Sequence, residues 1–318
     1  MARKFTPSAP FVARDLYAEV TAKIVEQLEA GVRPWAMPWN AGKVPATANN
    51  LPLRHNGVPY RGVNVFLLWM VAAAKGYTAP RWLTFNQARA YGGGVKKGER
   101  ATTVVYTSII EKKDRDAAGE EKIKRIFILK HYSVFNADQC EGLPARLYAR
   151  PAVAELPPVE RDAAAEKFFA AQECRVEYGS NRAAYSPALD LIVMPPAEAF
   201  RDMVSFYGTL AHEHVHSTGH ASRLARELSG RFGSDAYAAE ELVAELGAAF
   251  TCALLGFWVE PREDHASYLA SWLRVLKADN RAIFKAATLA QAAADYLAGN
   301  GGIVADSDEQ ADAMAEAA

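Results

Sequence analysis

The sequence predicts an α+β protein of two domains. Three observations carry this. Its 318 residues exceed one ordinary domain, and half of them are apolar against 23% charged, enough to bury real cores. Its charge divides sharply. Residues 1–150 hold 23 Lys+Arg against 12 Asp+Glu, a balance of +11, and residues 151–318 hold 13 against 25, a balance of −12. A proline-rich stretch, RPAVAELPPV (Arg150–Val159), lies at the boundary. The predicted division is a basic domain over 1–149, a linker over 150–160, a mostly helical domain over 161–299 and an acidic, disordered tail over 300–318.

The elements follow in order. Val12, Leu16, Val20, Ile24 and Leu28 form an i+4 row, a helix that ends at Gly31. Asn64 can cap a second, nearly all-apolar helix over Val65–Lys75, stopped by Gly76. Thr84 opens a short helix, Phe85–Tyr91. Thr102–Ile110 and Lys122–Val134, rich in Val, Ile, Tyr and Phe, read as strands joined by a long charged loop, Glu111–Glu121. In the second half, a helix over Asp162–Gln172 precedes strands at Ala183–Ser186 and Leu189–Met194. Long helices follow at Asp202–Thr218, Ala236–Leu255, Asp264–Leu276 and Asn280–Leu297. The acids from Asp306 onward mark the tail.

Some classes are excluded. The apolar runs Val65–Ala74 and Phe250–Val259 are too short to span a bilayer, so no membrane partner is expected. The opening MARKFTPSAP has no apolar segment behind its basic residues, so no secretory signal is read there. Three scattered cysteines, Cys140, Cys174 and Cys252, suit neither a disulfide framework nor a Cys-only zinc cage, and agree with a cytoplasmic location. The basic half suggests a polyanion partner.

The chemistry lies in His212-Glu213-His214-Val215-His216, an H-E-x-x-H pattern. On a helix, His212 and His216 share a face one turn apart and can reach one ion, zinc by this ligand chemistry. Glu213 lies beside them, placed as a general base on a water. His214 points about 200° away and is a poor ligand. Ser222 stands where a third histidine would follow, and His220 is out of register. The better third ligand lies on the later helix AEELVAELGAAF (Ala239–Phe250), whose acids are costly to bury without a partner. Glu241 is assigned as ligand and Glu245, one turn on, as the residue that holds a ligand histidine by its second nitrogen. Glu240 is expected to face elsewhere. Gly247 and Ala248 permit close packing of the two helices. The arrangement resembles that of the gluzincins, and the strand Leu189–Met194 is expected at a sheet edge that receives an extended peptide.

Longer stretches carry a wider resemblance: PYRGVNVFLLW (Pro59–Trp69), PRWLTFNQARAYGGGVKKGE (Pro80–Glu99), YSVFNADQCEGLP (Tyr132–Pro144), YGTLAHEHVHSTGH (Tyr207–His220), YAAEELVAELGAAF (Tyr237–Phe250) and HASYLASWLRVLKADNRAIFKAA (His265–Ala287). With these the chain resembles the ArdC-type antirestriction proteins, whose N-terminal domain is shared with the TraC-type plasmid primases. The resemblance implies an N-terminal domain that binds single-stranded DNA, a C-terminal zincin-like metallopeptidase domain, and protection of incoming plasmid DNA from host restriction. His214 departs from the pattern, where an apolar residue is expected.

Single-strand binders combine a positive groove with aromatic faces. Arg54, Tyr60, Arg61, Arg81, Trp82, Lys96, Lys97 and Arg100 offer that mixture, although Tyr60 and Trp82 could equally be core. Trp35 and Trp39 form a second candidate platform, or a staple for the first helix. The spacing Gly93…Gly98 continues with Glu99-Arg100 and excludes a phosphate-binding nucleotide loop. Two other readings stay open: a DNA-coating module whose zincin domain is catalytically silent, and an ordinary cytosolic peptidase.

Overall fold

Helix α1 (Leu16–Glu29) begins at Asp15, whose carboxylate accepts from Ala18 N at 3.1 Å. Its buried face is the expected row of Leu16, Val20, Ile24 and Leu28. The computed structural model describes residues 15–35, 51–115, 121–149, 162–256 apart from 229 and 232, and 266–303. Val12 of the expected row, Trp39, the linker and the tail beyond Ile303 lie outside the described residues, while Asn300, expected to open the tail, ends the last helix.

Strand β1 (Leu53–Arg54) precedes α2 (Val63–Lys75), which ends at Gly76 in the left-handed conformation, φ +69°. Asn64 does not cap α2 as expected. It is one residue inside the helix, and its side chain bonds both Val105 N (2.9 Å) and Val105 O (2.7 Å). Next come β2 (Arg81–Leu83) and α3 (Phe85–Ala90), the latter opened by a Thr84–Gln87 capping box. The small ladder of β3 (Gly94–Val95) is completed later by β6 (Cys140–Glu141).

Strands β4 (Thr102–Arg115) and β5 (Glu121–Asn136) form a long antiparallel ribbon. Most of the segment expected as a loop is therefore strand. The register runs unbroken from Thr102 opposite Val134 to Arg115 opposite Glu121, so the extension pairs backbone groups. The sheet order is β1-β2-β5-β4, and α4 (Ala145–Tyr148) closes this half.

The second half opens with α5 (Ala163–Ala170), then β7 (Arg175–Tyr178), β8 (Ala184–Ser186) and β9 (Leu191–Met194) in the order β7-β9-β8. The apolar strand β9 is central, paired with β7 on one side and β8 on the other, so β7 and β8 are the edges; this corrects the expectation for Leu189–Met194. Helices α6 (Met203–Thr218), α7 (Asp235–Leu254), α8 (Ala266–Ala278) and α9 (Ala282–Asn300) complete it. A Cβ on Gly247 of α7 would lie 2.8 Å from Val215 Cγ1 of α6, so glycine is what lets the two helices approach.

The charge boundary is not a core boundary. One apolar cluster runs from Val20, Phe66 and Trp82 through Phe206, Leu242 and Phe250 to Ile283 and Leu297. Trp35 sets its ring 5.6 Å from Trp272 of α8, burying one of the expected DNA platforms. Polar ties cross the same junction: Gly62 N donates to Gln291 Oε1 (3.0 Å), Thr21 Oγ1 to Asn280 O (2.7 Å), and Arg61 pairs with Asp295.

Candidate metal centre

Helix α6 is buried nearly all round, so its polar residues need partners inside the protein. His212 and His216 sit one turn apart with their Nε2 atoms 3.1 Å from each other. Glu241 of α7 faces both: its carboxylate oxygens lie 3.6 Å from His212 Nε2 and 3.6 Å from His216 Nε2. These three ligand atoms fall within 4.8 Å of one another, a set able to hold one metal ion.

Each histidine is held from behind. His212 Nδ1 is 3.1 Å from Glu245 Oε1, as expected for Glu245. His216 Nδ1 is 3.3 Å from Glu240 Oε1, so Glu240 does not face elsewhere. The reason is that Glu240 and Glu241 differ by about 100° around α7, and the two rings splay to meet one side each. Glu240 is itself fixed by Arg226, whose Nη2 donates to Oε1 at 2.8 Å and whose Nε donates to Oε2 at 3.1 Å. Arg226 also donates to Val215 O and Thr218 Oγ1, both at 2.7 Å, and so clamps the end of α6. No signal in the sequence separates Arg226 from other arginines in its loop; its role comes from the loop folding back over α6.

The histidines and carboxylates balance each other's charge. Burial opposes charge on His212, but the facing carboxylates of Glu241 and Glu245 outweigh it and hold the imidazole up at about 10. Burial also opposes charge on Glu241, and the bond to His212 with the charge of His216 brings its carboxyl down to about 2. Tyr237, one turn before Glu241, hydrogen-bonds its carboxylate and lies 3.2 Å from Tyr268 Oη.

The centre opens into a cleft of about 320 Å³ lined by Tyr185 of β8, His212, Glu213, His216, Tyr237 and Tyr268. Glu213, next to His212 in the chain, is buried at this wall. Beside it, Asp190 accepts from Tyr185 Oη (2.9 Å) and pairs with Arg223, whose Nε donates to Ser217 O (2.7 Å). This latch fixes β8 against the end of α6. His214 points away from the cleft, fully buried, its ring stacked on Phe169 at 5.5 Å and neither nitrogen hydrogen-bonded. Burial pushes its imidazole down to about 3, so it is neutral. The apolar slot agrees with the apolar residue that the resemblance leads one to expect at this position.

The residues expected to meet DNA are dispersed. Tyr60 and Trp82 are 1% and 2% exposed, so neither offers a ring face to a base. Their large apolar area is core, which corrects their reading as stacking platforms. Arg54 is buried with its guanidinium 5.7 Å over the Tyr60 ring. Arg61 is engaged with Asp295. Arg81 Nη1 donates to the carbonyls of Arg146 (2.8 Å) and Ala149 (3.2 Å), and Lys96 Nζ to Asp138 O (2.8 Å). Lys97 and Arg100 are exposed.

Fold and site together define a zincin-like metallopeptidase domain built onto a small mixed sheet domain. The zincin-like metallopeptidase family matches residues 163–289, and the family described as the N-terminal domain of anti-restriction factor ArdC matches residues 14–135. The chain belongs to the ArdC antirestriction family. It is similar to the metal-free crystal structure of antirestriction ArdC protein from plasmid R388 at 45% identity, covering 91% of this chain and 98% of that one, with a TM-score of 0.77. The Mn(II)-bound structure of the same protein gives 42%, 91%, 98% and 0.75. Protein y4eC of Sinorhizobium fredii (strain NBRC 101917 / NGR234) is 41% identical over 92% of this chain and 94% of its own length. DNA primase TraC of Escherichia coli is 34% identical over 90% of this chain, which spans 27% of that larger protein. Among the described residues no helix is long and apolar enough to cross a membrane.

Proposed function

We propose that this chain is an antirestriction protein that binds single-stranded DNA through its basic half and carries a zinc-dependent peptidase centre in its other half. One observation carries the metal reading. Both Nδ1 atoms of the histidine pair face carboxylates, so both Nε2 lone pairs turn to one point, 3.1 Å apart, where Glu241 also converges. Two lone pairs so close repel unless a cation or a proton lies between them. Two imidazoles and one carboxylate suit zinc, with room for water at the cleft side. The ArdC relative crystallised with Mn(II) supports a divalent ion at such a site.

When bound, the metal would supply Lewis acidity and ease the loss of a proton from water. The chain's own groups do the rest. Glu213 accepts that proton at its carboxylate and returns it to the departing amine nitrogen. Tyr185, held by Asp190, walls the cleft. The outer edge of β8 offers backbone groups to an extended peptide.

The DNA reading rests on the +11 balance of residues 1–150 and on the ArdC N-terminal match. A coat of protein on the entering strand would keep host nucleases from it. Metal analysis of purified protein is expected to give about one zinc per chain, and incubation with unfolded protein mixtures should yield chelator-sensitive cleavage. Stoichiometric zinc without cleavage would leave a DNA-coating protein with a silent zincin domain.

A further inference from the structure

Tyr60 and Trp82 are buried and offer no ring face to a base. Another aromatic of the basic half lies nearer the surface. Tyr91 caps the end of α3 and is half-buried. The guanidinium of Arg146, exposed on α4, sits 5.5 Å over its ring. His55 Nδ1 lies 3.1 Å from Tyr91 Oη, and the two rings are 5.9 Å apart. His55 is itself at the tip of a tight turn, where Gly57 N donates to Arg54 O (3.0 Å) and Val58 N to Asn56 Oδ1 (3.1 Å). Gly57 takes φ +94°, and a Cβ there would stand 3.8 Å from Arg81 Nη2. Arg81 therefore lies against this turn, anchored through Nη1 to the carbonyls of Arg146 and Ala149.

Four separate segments thus converge on one surface: the turn at 54–57, β2, the end of α3, and α4. Among the described residues no carboxylate pairs with Arg81 or Arg146, whereas Arg61 gives its charge to Asp295. The cluster holds two guanidinium groups, one of them over the Tyr91 ring, and a turn against which the other lies.

We infer that His55, Arg81, Tyr91 and Arg146 form a nucleotide subsite for single-stranded DNA, a role no sequence motif assigns to His55, Tyr91 or Arg146. Tyr91 and Arg146 present the stacking face for an unpaired base, since rings and guanidinium planes accept any base. Arg81 turns positive charge toward a backbone phosphate. His55 is a positioning residue that fixes the Tyr91 ring. The inference rests on the single-strand reading proposed above and adds where the strand lies.

The test is fluorescence anisotropy of a labelled oligodeoxythymidine with the full chain and three variants. Tyr91→Ala is expected to weaken binding about 5-fold to 100-fold, the range of one lost base stack, while Tyr91→Phe stays within about twofold. Arg146→Ala, at an exposed position, should weaken binding and lower its salt dependence by about one counterion if the guanidinium also reaches a phosphate. An iodouracil-substituted strand should photo-crosslink to the peptide that contains Tyr91. The inference is overturned if wild-type protein binds the strand while Tyr91→Ala and Arg146→Ala bind it equally well. It is also overturned if duplex DNA competes as well as single strand. Failure of wild-type protein to bind any oligonucleotide removes the DNA reading itself, a result distinct from both.

Discussion

Phe66 of α2 and Phe250 of α7 stack with ring centroids 5.0 Å apart and planes 8° from parallel. Helix α7 is the one that brings Glu241 and Glu245 to the histidines. The metal centre is therefore seated on the basic half by a fully buried aromatic pair.

One expected consequence concerns folding. Phe250→Ala should destabilise the whole chain by about 3–5 kcal/mol, the usual cost of removing a large buried ring. Urea unfolding followed by tryptophan fluorescence should show one transition for wild type and one, shifted, for the variant. Residues 1–150 alone would expose Phe66, Trp69 and Trp35 and should be poorly soluble. A soluble, natively folded fragment would show that the shared core is not needed.

Metal retention should follow the ligand geometry. Glu241→Gln is expected to lose most of the bound metal. Glu245→Gln and Glu240→Gln should each weaken affinity about 10-fold to 100-fold, because each orients one histidine. Removing metal with a chelator should lower the melting temperature. Competition titrations against a zinc indicator measure these changes, and an unaltered Glu241→Gln would exclude that residue as ligand.

Glu213 touches the proposed chemistry without belonging to the ligand set. Glu213→Gln should keep fold, metal content and DNA affinity while peptide cleavage disappears, since an amide is too weak a base. Protection of transferred DNA in cells then separates the two activities. Retained protection would credit the basic half alone. Lost protection with normal DNA binding would credit proteolysis.

The latch beside the cleft should respond to acid. The Asp190 carboxyl is held down at about 2, first by its bond to Arg223 and, against some burial, by Tyr185. Its folded value is below its unfolded one of 3.8, so its stabilisation is present above pH 3.8 and is lost as pH falls through about 2. Solvent reaches about a third of this side chain, which keeps the effect modest. Asp190 has φ +45°, a conformation that Asn tolerates, so Asp190→Asn removes the charge without new backbone strain. The stability gap between wild type and this variant should narrow as pH drops from 5 toward 2. A gap independent of pH would mean the carboxylate charge does not hold the latch.

His214 offers a gain. It is fully buried, and both ring nitrogens lack hydrogen bonds. His214→Leu replaces it with an apolar side chain of similar size in a helix, and is expected to raise stability by about 1 kcal/mol. Denaturant midpoints measure this, and a loss of stability would show that the stack on Phe169 outweighs the unsatisfied nitrogens.

The α+β class, the helices and the pairing of His212, His216 and Glu241 were legible in the sequence, because spacing along a helix fixes direction and i, i+4 residues must share a face. That Glu245 stands behind a ligand histidine was legible for the same reason; the structure makes that histidine His212. Tertiary structure alone decided the rest. Whether Glu240 meets His216 depends on where Arg226 returns from a loop, and no local period encodes that. Arg61 pairs with Asp295, 234 positions away, and burial of Tyr60 and Trp82 depends on which other segments complete their core. An amphipathic aromatic or a long basic side chain suits core, junction or surface equally well. Only the three-dimensional competition for buried area and for partners assigns each one its place.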